Sequence, residues 1–336
     1  MKQTEYDFSS VELLTNLKNF SSMGITELEV HDTGFATDRQ QLLRLIRTAA
    51  AEAPDLFIRI PVEAAVVNSE VCHAAKDIYS SLTVFLRGVS KTTDSSGPVY
   101  LFDKKLYAKK AALLNDAGLI WGFSMDWAVT AGDSLRFFRD RLDFAISLYP
   151  NHIDFEQLDR KDFPAARTTG IFSLQDRRHA RDIAFACRTF YTFGRAVPWF
   201  FAILAPLKLQ CSRFFADFAE WQRCSSCGYG SSFDPSVVPH TEIEKMQLVF
   251  LEMKYEEKQL SVFFPAVRDI VRLNGAVSRV VGEGQESLID TQYDPEDLLG
   301  PAASNIVSFT ENVCMERCRV QVFAGPDGPD FKILST

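Results

Sequence analysis

Apolar residues follow two alternating periodicities along the first half of the chain. Residues 11–23 have apolar positions at helical spacing and end at Gly24, and residues 25–31 then alternate apolar with polar side chains, as a strand does. The same succession recurs until residue 156. It predicts five strands, at 25–31, 56–60, 82–86, 119–125 and 152–156.

The segments between these strands have the pattern of helices. Asp38 is placed to cap a helix whose apolar stripe ends before Pro54. Further helices are predicted at 69–80, 103–117 and 133–148. Because consecutive strands begin about 30 residues apart, the length of one βα unit, we expect all five strands to be parallel.

A parallel sheet needs helices on its faces, which leaves a barrel or an open, doubly wound sheet. No glycine-rich loop of the dinucleotide-binding type follows any predicted strand. We therefore predict an α/β fold with a partial or complete parallel (β/α) TIM-like barrel. The open sheet is the alternative.

The second half of the chain has a different pattern. Residues 169–204 are mainly helical, and residues 207–223 place aromatic side chains at helical spacing. This spacing predicts a helix face packed in a core rather than a cofactor site. Thr241 and Glu244 match a capping box at the start of a helix over 241–260.

The end of the chain predicts a β-hairpin. Residues 320–323 and 331–334 are strand-like and flank a turn rich in Gly, Pro and Asp. The predicted domains are a barrel region at 1–160, a helical, aromatic-rich extension at 161–262 and a C-terminal α+β segment at 263–336.

Composition narrows the range of partners. The 336 residues include 36 Lys and Arg against 44 Asp and Glu, a formal net charge of −8, which disfavours nucleic-acid binding. The first residues lack the apolar core of a secretory signal, and the most apolar run, residues 196–207, is too short to span a bilayer. We expect a cytoplasmic protein without a membrane segment.

Charged side chains gather at the predicted strand ends, where α/β folds commonly bind ligands. Carboxylates beside two arginines can bind a small zwitterion through charge-assisted hydrogen bonds. The same residues are also compatible with solvated strand ends or structural ion pairs. The predicted ligand-binding residues are Asp32, Thr33, Arg59, Arg87, Asp126 and Glu156.

Residues 25–38, with the helix before them and the βα series after them, resemble the barrel of radical S-adenosylmethionine proteins, especially the cobalamin-associated and methylthiotransferase-like branches. In those families a strand ends in an Asp-Asp-Thr-Phe type loop, which Asp32, Thr33 and Phe35 match with Gly34 as an extra residue. The resemblance covers about residues 8–158. It implies a site for S-adenosylmethionine at the strand ends.

The sequence departs from that family in three places. The residues after Arg87 lack the glutamate that would hold the methionine moiety, and Asp126 begins a segment that replaces a Gly-x-Pro-Gly-Glu type turn. No cysteine occurs before Cys72, so the Cys-x3-Cys-x2-Cys loop that holds a four-iron cluster is absent. Either the chain has lost this chemistry or its natural start lies upstream of Met1.

Two cysteine pairs offer another metal site. Cys224 and Cys227 have x2 spacing, and Cys314 and Cys318 have x3 spacing. Four thiolates at such spacings can hold zinc or an iron–sulfur cluster, and the alternative is a set of independent reduced thiols.

Three functions remain open from the sequence. The first is a truncated or degenerate radical S-adenosylmethionine-like protein with a residual small-molecule pocket at the strand ends. The second is a noncatalytic binding or assembly module whose aromatic second half contacts a protein partner. The third is an unrelated barrel enzyme that uses strand-end carboxylates for acid–base chemistry.

Overall fold

The structure is a computed structural model that describes residues 9–93, 97–159, 171–228 and 233–334. The chain divides into two compact units, Met1–Arg177 and Arg178–Thr336. The domain boundaries at 160 and 262 remain predictions. Within the described residues, no helix combines the length and the apolar character needed to cross a membrane.

The first unit contains seven helices and seven strands in its described part. The helices are α1 (Ser10–Ser22), α2 (Thr33–Thr37), α3 (Arg39–Glu52), α4 (Ser69–Ala75), α5 (Lys104–Asp116), α6 (Leu135–Ile146) and α7 (Glu156–Asp159). The strands are β1 (Glu27–Glu29), β2 (Phe57–Val62), β3 (Ser80–Leu86), β4 (Val89–Thr93), β5 (Gly97–Leu101), β6 (Ile120–Met125) and β7 (His152–Phe155).

Five of these strands form one parallel sheet in the order β1-β2-β3-β6-β7, which confirms the predicted parallel pairing. Apart from the β4–β5 hairpin, this order follows the chain without reversal. A doubly wound sheet requires a reversal, so the open-sheet alternative is wrong. The sheet is curled into a half-barrel, and among the described residues β1 and β7 have no further partner, so a complete barrel is not formed there.

One face of this sheet is a continuous apolar core. Because the strand order does not reverse, right-handed crossovers place all the connecting helices on the same face of the sheet. Side chains alternate between the two faces along each strand, and the apolar ones face the helices. None of the central side chains on this face is more than 1% exposed. They are Ile58, Ile60, Val62, Leu82, Val84, Leu86, Trp121, Phe123, Met125, Ile153 and Phe155.

Helix caps explain where two of the helices begin. The Asp38 carboxylate accepts hydrogen bonds from the backbone N–H groups of Gln40 and Gln41, as predicted for α3. The start predicted at residue 133 for α6 is wrong, because Ser134 is its cap. Asp133 is instead buried in an ion-pair cluster.

The antiparallel β4–β5 hairpin was not predicted from the sequence. Its strands are short, and the apolar side chains of Val89 and Val99 are exposed rather than buried, so they give no core-facing pattern. Tyr100 on the other face is buried and stacks on Phe137 of α6, which ties the hairpin to that helix.

Helix α8 (Leu174–Cys187) crosses the division between the units. The second unit continues with a π-helix at Arg188–Phe193 and two short 3-10 turns at Ser261–Phe263 and Pro301–Ser304. Its helices are α9 (Phe200–Leu207), α10 (Cys211–Ser225), α11 (His240–Glu257), α12 (Phe264–Glu283), α13 (Pro295–Leu299) and α14 (Ile306–Asn312). Its strands are β8 (Ser287–Thr291), β9 (Cys318–Gly325) and β10 (Gly328–Leu334).

The aromatic stripe of the second unit lies in its core, as predicted. Phe214, Phe215 and Phe218 of α10 are buried, and the ring of Phe190 packs edge-on against several of its neighbours. The helix itself begins at Cys211 rather than near residue 207, because Lys208 adopts a left-handed conformation that ends α9.

The capping box predicted for α11 is wrong. The helix begins at His240, and no side chain caps its first turn. Glu244 instead forms a buried ion pair with Arg279, at 2.6 Å between Oε2 and Nη1. The terminal hairpin is confirmed as β9 and β10, with β8 as a third strand beside β9.

The buried His240 of the second unit makes stability depend on pH. Its Nδ1 lies 3.1 Å from Nη1 of Arg279, and desolvation lowers its pKa to about 4. The unfolded chain takes up this proton near pH 6.5, whereas the folded chain resists it until about pH 4.

We therefore expect this unit to lose about 3 kcal/mol of unfolding free energy as the pH falls from 6.5 to 4. His240→Gln removes the titrating ring and should flatten that part of the profile. Urea unfolding at several pH values measures both proteins. Parallel profiles for the two would show that His240 is not responsible.

Candidate functional site

The second face of the parallel sheet is polar and partly open. Parallel pairing puts Arg59 beside Ser81, and Thr83 beside Gly122. The same pairing puts Ser124 beside Asp154, and paired residues project from the same face of a sheet. Along each strand, these residues alternate with the buried apolar residues of the core. The sheet therefore has one packed, apolar face and one face that carries charged and hydroxyl groups.

Arg87 lies at the carboxyl end of this face in a cluster of charges. Its guanidinium contacts Glu156 at 3.1 Å and Glu63 at 3.5 Å, and it stacks over the ring of Phe85 at 4.0 Å. The Tyr107 hydroxyl bonds both the N–H and the C=O of Arg87, at 3.1 Å each, which holds the backbone in place. A guanidinium has five N–H donors, so these contacts leave donors for a ligand.

Arg59 forms a second charged pair near the opposite end of the face. Its Nε bonds Oε1 of Glu27 on the neighbouring strand, and both side chains are about half exposed. Glu29 pairs with Arg59 in the strand register and is exposed. Carboxylates outnumber guanidinium groups on this face, which favours a ligand that carries positive charge.

His152 is the first residue of the edge strand β7 and lies on the same polar face, beside Gly122 of β6. Its Nε2 is 3.1 Å from the Thr83 hydroxyl and 3.3 Å from Oδ2 of Asp154. Burial lowers the pKa of His152, against the opposing effect of Asp154, so the ring is neutral at pH 7. Gly122 provides the space, because a Cβ there would lie 2.4 Å from the ring.

The predicted ligand-binding residues occupy three different environments. Arg59, Arg87 and Glu156 lie on the polar face. Asp32 caps the short helix α2 through the N–H of Gly34, at 2.6 Å, and Thr33 is the first residue of that helix. Their roles in binding remain predictions.

Asp126 belongs to a buried ion-pair cluster. Arg141 is 2.9 Å from Asp126 and 3.0 Å from Asp133, and all three side chains are buried. Arg141 also donates to the carbonyls of Leu86 and Asp126. The cluster ties α6 to the ends of β3 and β6, which is a structural contribution whatever else Asp126 does.

The four predicted metal-binding cysteines are not gathered into one site. Across the described ranges, no group of three or more His, Cys, Asp or Glu side chains is arranged to hold a metal ion. Cys224 and Cys314 are exposed, and the thiol of Cys224 donates to Glu220 at 3.3 Å. The thiol of Cys318 is buried and donates to the carbonyl of Glu316.

Sequence reasoning missed four residues of the polar face, namely Ser81, Thr83, Ser124 and His152. Asp154 was among the charged residues of the fifth predicted strand but not among the predicted ligand-binding residues. Part of the signal for the four missed residues is present in the chain, because Thr83, Ser124 and His152 each alternate with a buried apolar residue within a predicted strand. Ser81 precedes the predicted start of its strand at residue 82, whereas the observed strand begins at Ser80. The ligand-binding residues were predicted mainly at the carboxyl ends of the strands, and the missed residues lie before those ends. A shallow surface depression lined by residues of α3 is separate from this face.

No protein-family model and no curated protein sequence matches the chain. Among solved structures, the chain is similar to the radical S-adenosylmethionine methyltransferase TsrM from Kitasatospora setae, with its tryptophan substrate and the analogue aza-SAM bound. That match has 13% identity and a TM-score of 0.35, and it covers 44% of this chain and 30% of the enzyme. A structure of TsrM with cobalamin and a [4Fe-4S] cluster has 13% identity, a TM-score of 0.34 and the same coverage.

Proposed function

We propose that the polar face of the half-barrel binds a small zwitterionic molecule, and that the chain is a radical S-adenosylmethionine-like protein without the cluster loop. The observation that carries this proposal is the two-faced sheet. Its packed face needs no polar partner, whereas its other face carries Arg59, Arg87, Asp154 and Glu156 within partly open surroundings. The resemblance at residues 25–38 supports S-adenosylmethionine as the ligand.

The charges of this face fit such a ligand. A guanidinium such as that of Arg87 binds a carboxylate through paired hydrogen bonds, and its stacking on Phe85 keeps the group in one orientation. The excess of carboxylates favours an ammonium or sulfonium group on the same molecule. One face therefore offers partners for both charges of the zwitterion.

An iron–sulfur cluster does not fit the residues present. The described part of the chain holds no group of three metal-binding side chains, and the family's three cysteines are absent before Cys72. The function proposed for the polar face is therefore ligand binding.

The alternative is a noncatalytic binding or assembly module. The aromatic side chains that suggested a partner surface, such as Phe214 and Phe218, are buried within the second unit. A protein partner of that unit would have to contact other residues. The polar face therefore supports ligand binding more directly than assembly.

Equilibrium dialysis with radiolabelled S-adenosylmethionine tests the proposal. We expect saturable binding to the wild-type protein. Arg87→Met should lower the affinity by about tenfold or more, which is the effect expected when a hydrogen bond to a charged group is removed. Arg47→Met is the matched control, because Arg47 pairs with Glu70 at the same 3.1 Å but in an exposed pair between α3 and α4. Binding absent from the wild type at millimolar ligand, or equally weakened by both variants, contradicts the proposal.

A further inference from the structure

Among the described residues, the Asp154 carboxylate, on the edge strand β7, forms no ion pair with a Lys or Arg side chain. Its side chain is 42% exposed, and the ion-pair contact made with it among the described residues comes from His152. Burial of the His152 ring lowers the pKa of that group, which favours its neutral form over a permanent cation beside Asp154. The carboxylate is therefore free to pair with a cation from solution.

The hydrogen bonds of His152 leave neighbouring acceptor oxygens available to a ligand. The same ring nitrogen, Nε2, faces both the Thr83 hydroxyl and the Asp154 carboxylate. A neutral imidazole nitrogen holds at most one hydrogen, so it cannot donate fully to both oxygens. Thr83 and Asp154 thus keep acceptor capacity at one point of the face.

Ser81 provides an independent observation. Its side chain is only 4% exposed, and its hydroxyl has no hydrogen-bond partner among the described residues. Ser81 and Thr83 lie two positions apart on β3, so both project from the polar face, about 7 Å apart. A buried hydroxyl without a partner costs free energy unless a ligand or water satisfies it.

We propose that Asp154, Thr83 and Ser81 form a subsite for an amino alcohol or a similar amine with a second polar group. The ammonium group donates to the Asp154 carboxylate and the Thr83 hydroxyl, and the second polar group bonds Ser81. His152 is a positioning residue that orients Asp154, and Gly122 leaves room for its ring. This inference rests on the proposed function, because it takes the polar face as a ligand surface.

Two probes of equal length test the requirement for charge, 5-aminopentan-1-ol and the neutral pentane-1,5-diol. Titration of isotope-labelled protein should shift the amide resonances of Thr83 and Asp154 saturably with the amino alcohol. The diol should bind at least about tenfold more weakly, because it lacks the charge. Equal binding of the two probes would overturn the proposal.

Variants assign the subsite to its residues. Asp154→Asn should weaken the binding of 5-aminopentan-1-ol by about tenfold or more. Glu52→Gln should leave that binding unchanged, although Glu52 is a carboxylate of similar exposure on α3. Ser81→Ala should weaken the binding of the amino alcohol. It should not change the binding of pentylamine, which has no hydroxyl. An Asp154→Asn protein that binds as well as the wild type would refute the subsite.

The same samples separate this inference from the proposed function. If S-adenosylmethionine binds and the amino alcohol does not, the subsite is refuted and the proposed ligand stands. If the amino alcohol binds through Asp154 and S-adenosylmethionine does not, the subsite stands and the proposed ligand is refuted.

Discussion

Replacing Arg141 with methionine is expected to destabilise the first unit by about 3–5 kcal/mol, which is typical when one partner of a buried ion pair is removed. Asp133 is fully buried, and Asp126 is buried beside it. Burial raises the pKa of Asp133, and Arg141 is the cation that offsets this effect. Without Arg141, both carboxylates must be protonated or exposed, and either change costs free energy. Urea unfolding, followed by amide hydrogen exchange in β3 and β6, measures the loss.

Two further variants test this explanation. Arg136→Ala removes an exposed arginine from the same helix, whose contact with Asp140 is 4.0 Å, and should change the unfolding free energy by no more than about 0.5 kcal/mol. Adding Asp133→Asn to Arg141→Met removes one uncompensated charge and should restore part of the stability. A loss below about 1 kcal/mol for Arg141→Met would contradict the buried-cluster account.

Phe190→Ala is expected to cost the second unit about 3–5 kcal/mol, because it leaves a cavity in a fully buried aromatic cluster. The ring centroid of Phe190 lies 5.0 Å from that of Phe214 and 5.1 Å from that of Phe218, both in edge-on contacts. Faster amide exchange in α10 and α11, together with a lower urea midpoint, would measure the effect.

Phe185→Ala is the control for this cluster. Phe185 is half-buried on α8, and among the described residues its ring packs edge-on against that of Phe233, at 6.2 Å between centroids. Its loss should cost less than half as much, since less apolar surface and fewer ring contacts are removed. Equal costs for the two variants would show that the Phe190 cluster is not the centre of the core.

Local periodicity explains why the strands and helices of the first unit were predictable. Each strand of the parallel sheet has its apolar positions on one face, and Asp38 caps α3 as its sequence indicates. The β4–β5 hairpin has no buried apolar face of this kind, except at Tyr100. Its position depends on contacts with Phe137, which lies far along the chain.

The candidate site was predictable only in part, because its contacts join distant strands. Arg59, Arg87 and Glu156 could be identified as charged residues of predicted strands or their ends. The contact between Thr83 and His152 spans 69 positions and depends on strand register, which no local pattern reveals. The burial of Asp126 likewise depends on Arg141 from the next helix.

Mapping of S-adenosylmethionine on the labelled protein tests the central claim, that the polar face of the half-barrel is the ligand surface. At saturating ligand, the largest amide shifts should fall on β2, β3, β6 and β7 and on the residues around Arg87. Shifts confined to the α3–α6 helices or to residues 178–334, or no shifts at millimolar ligand, would contradict the claim.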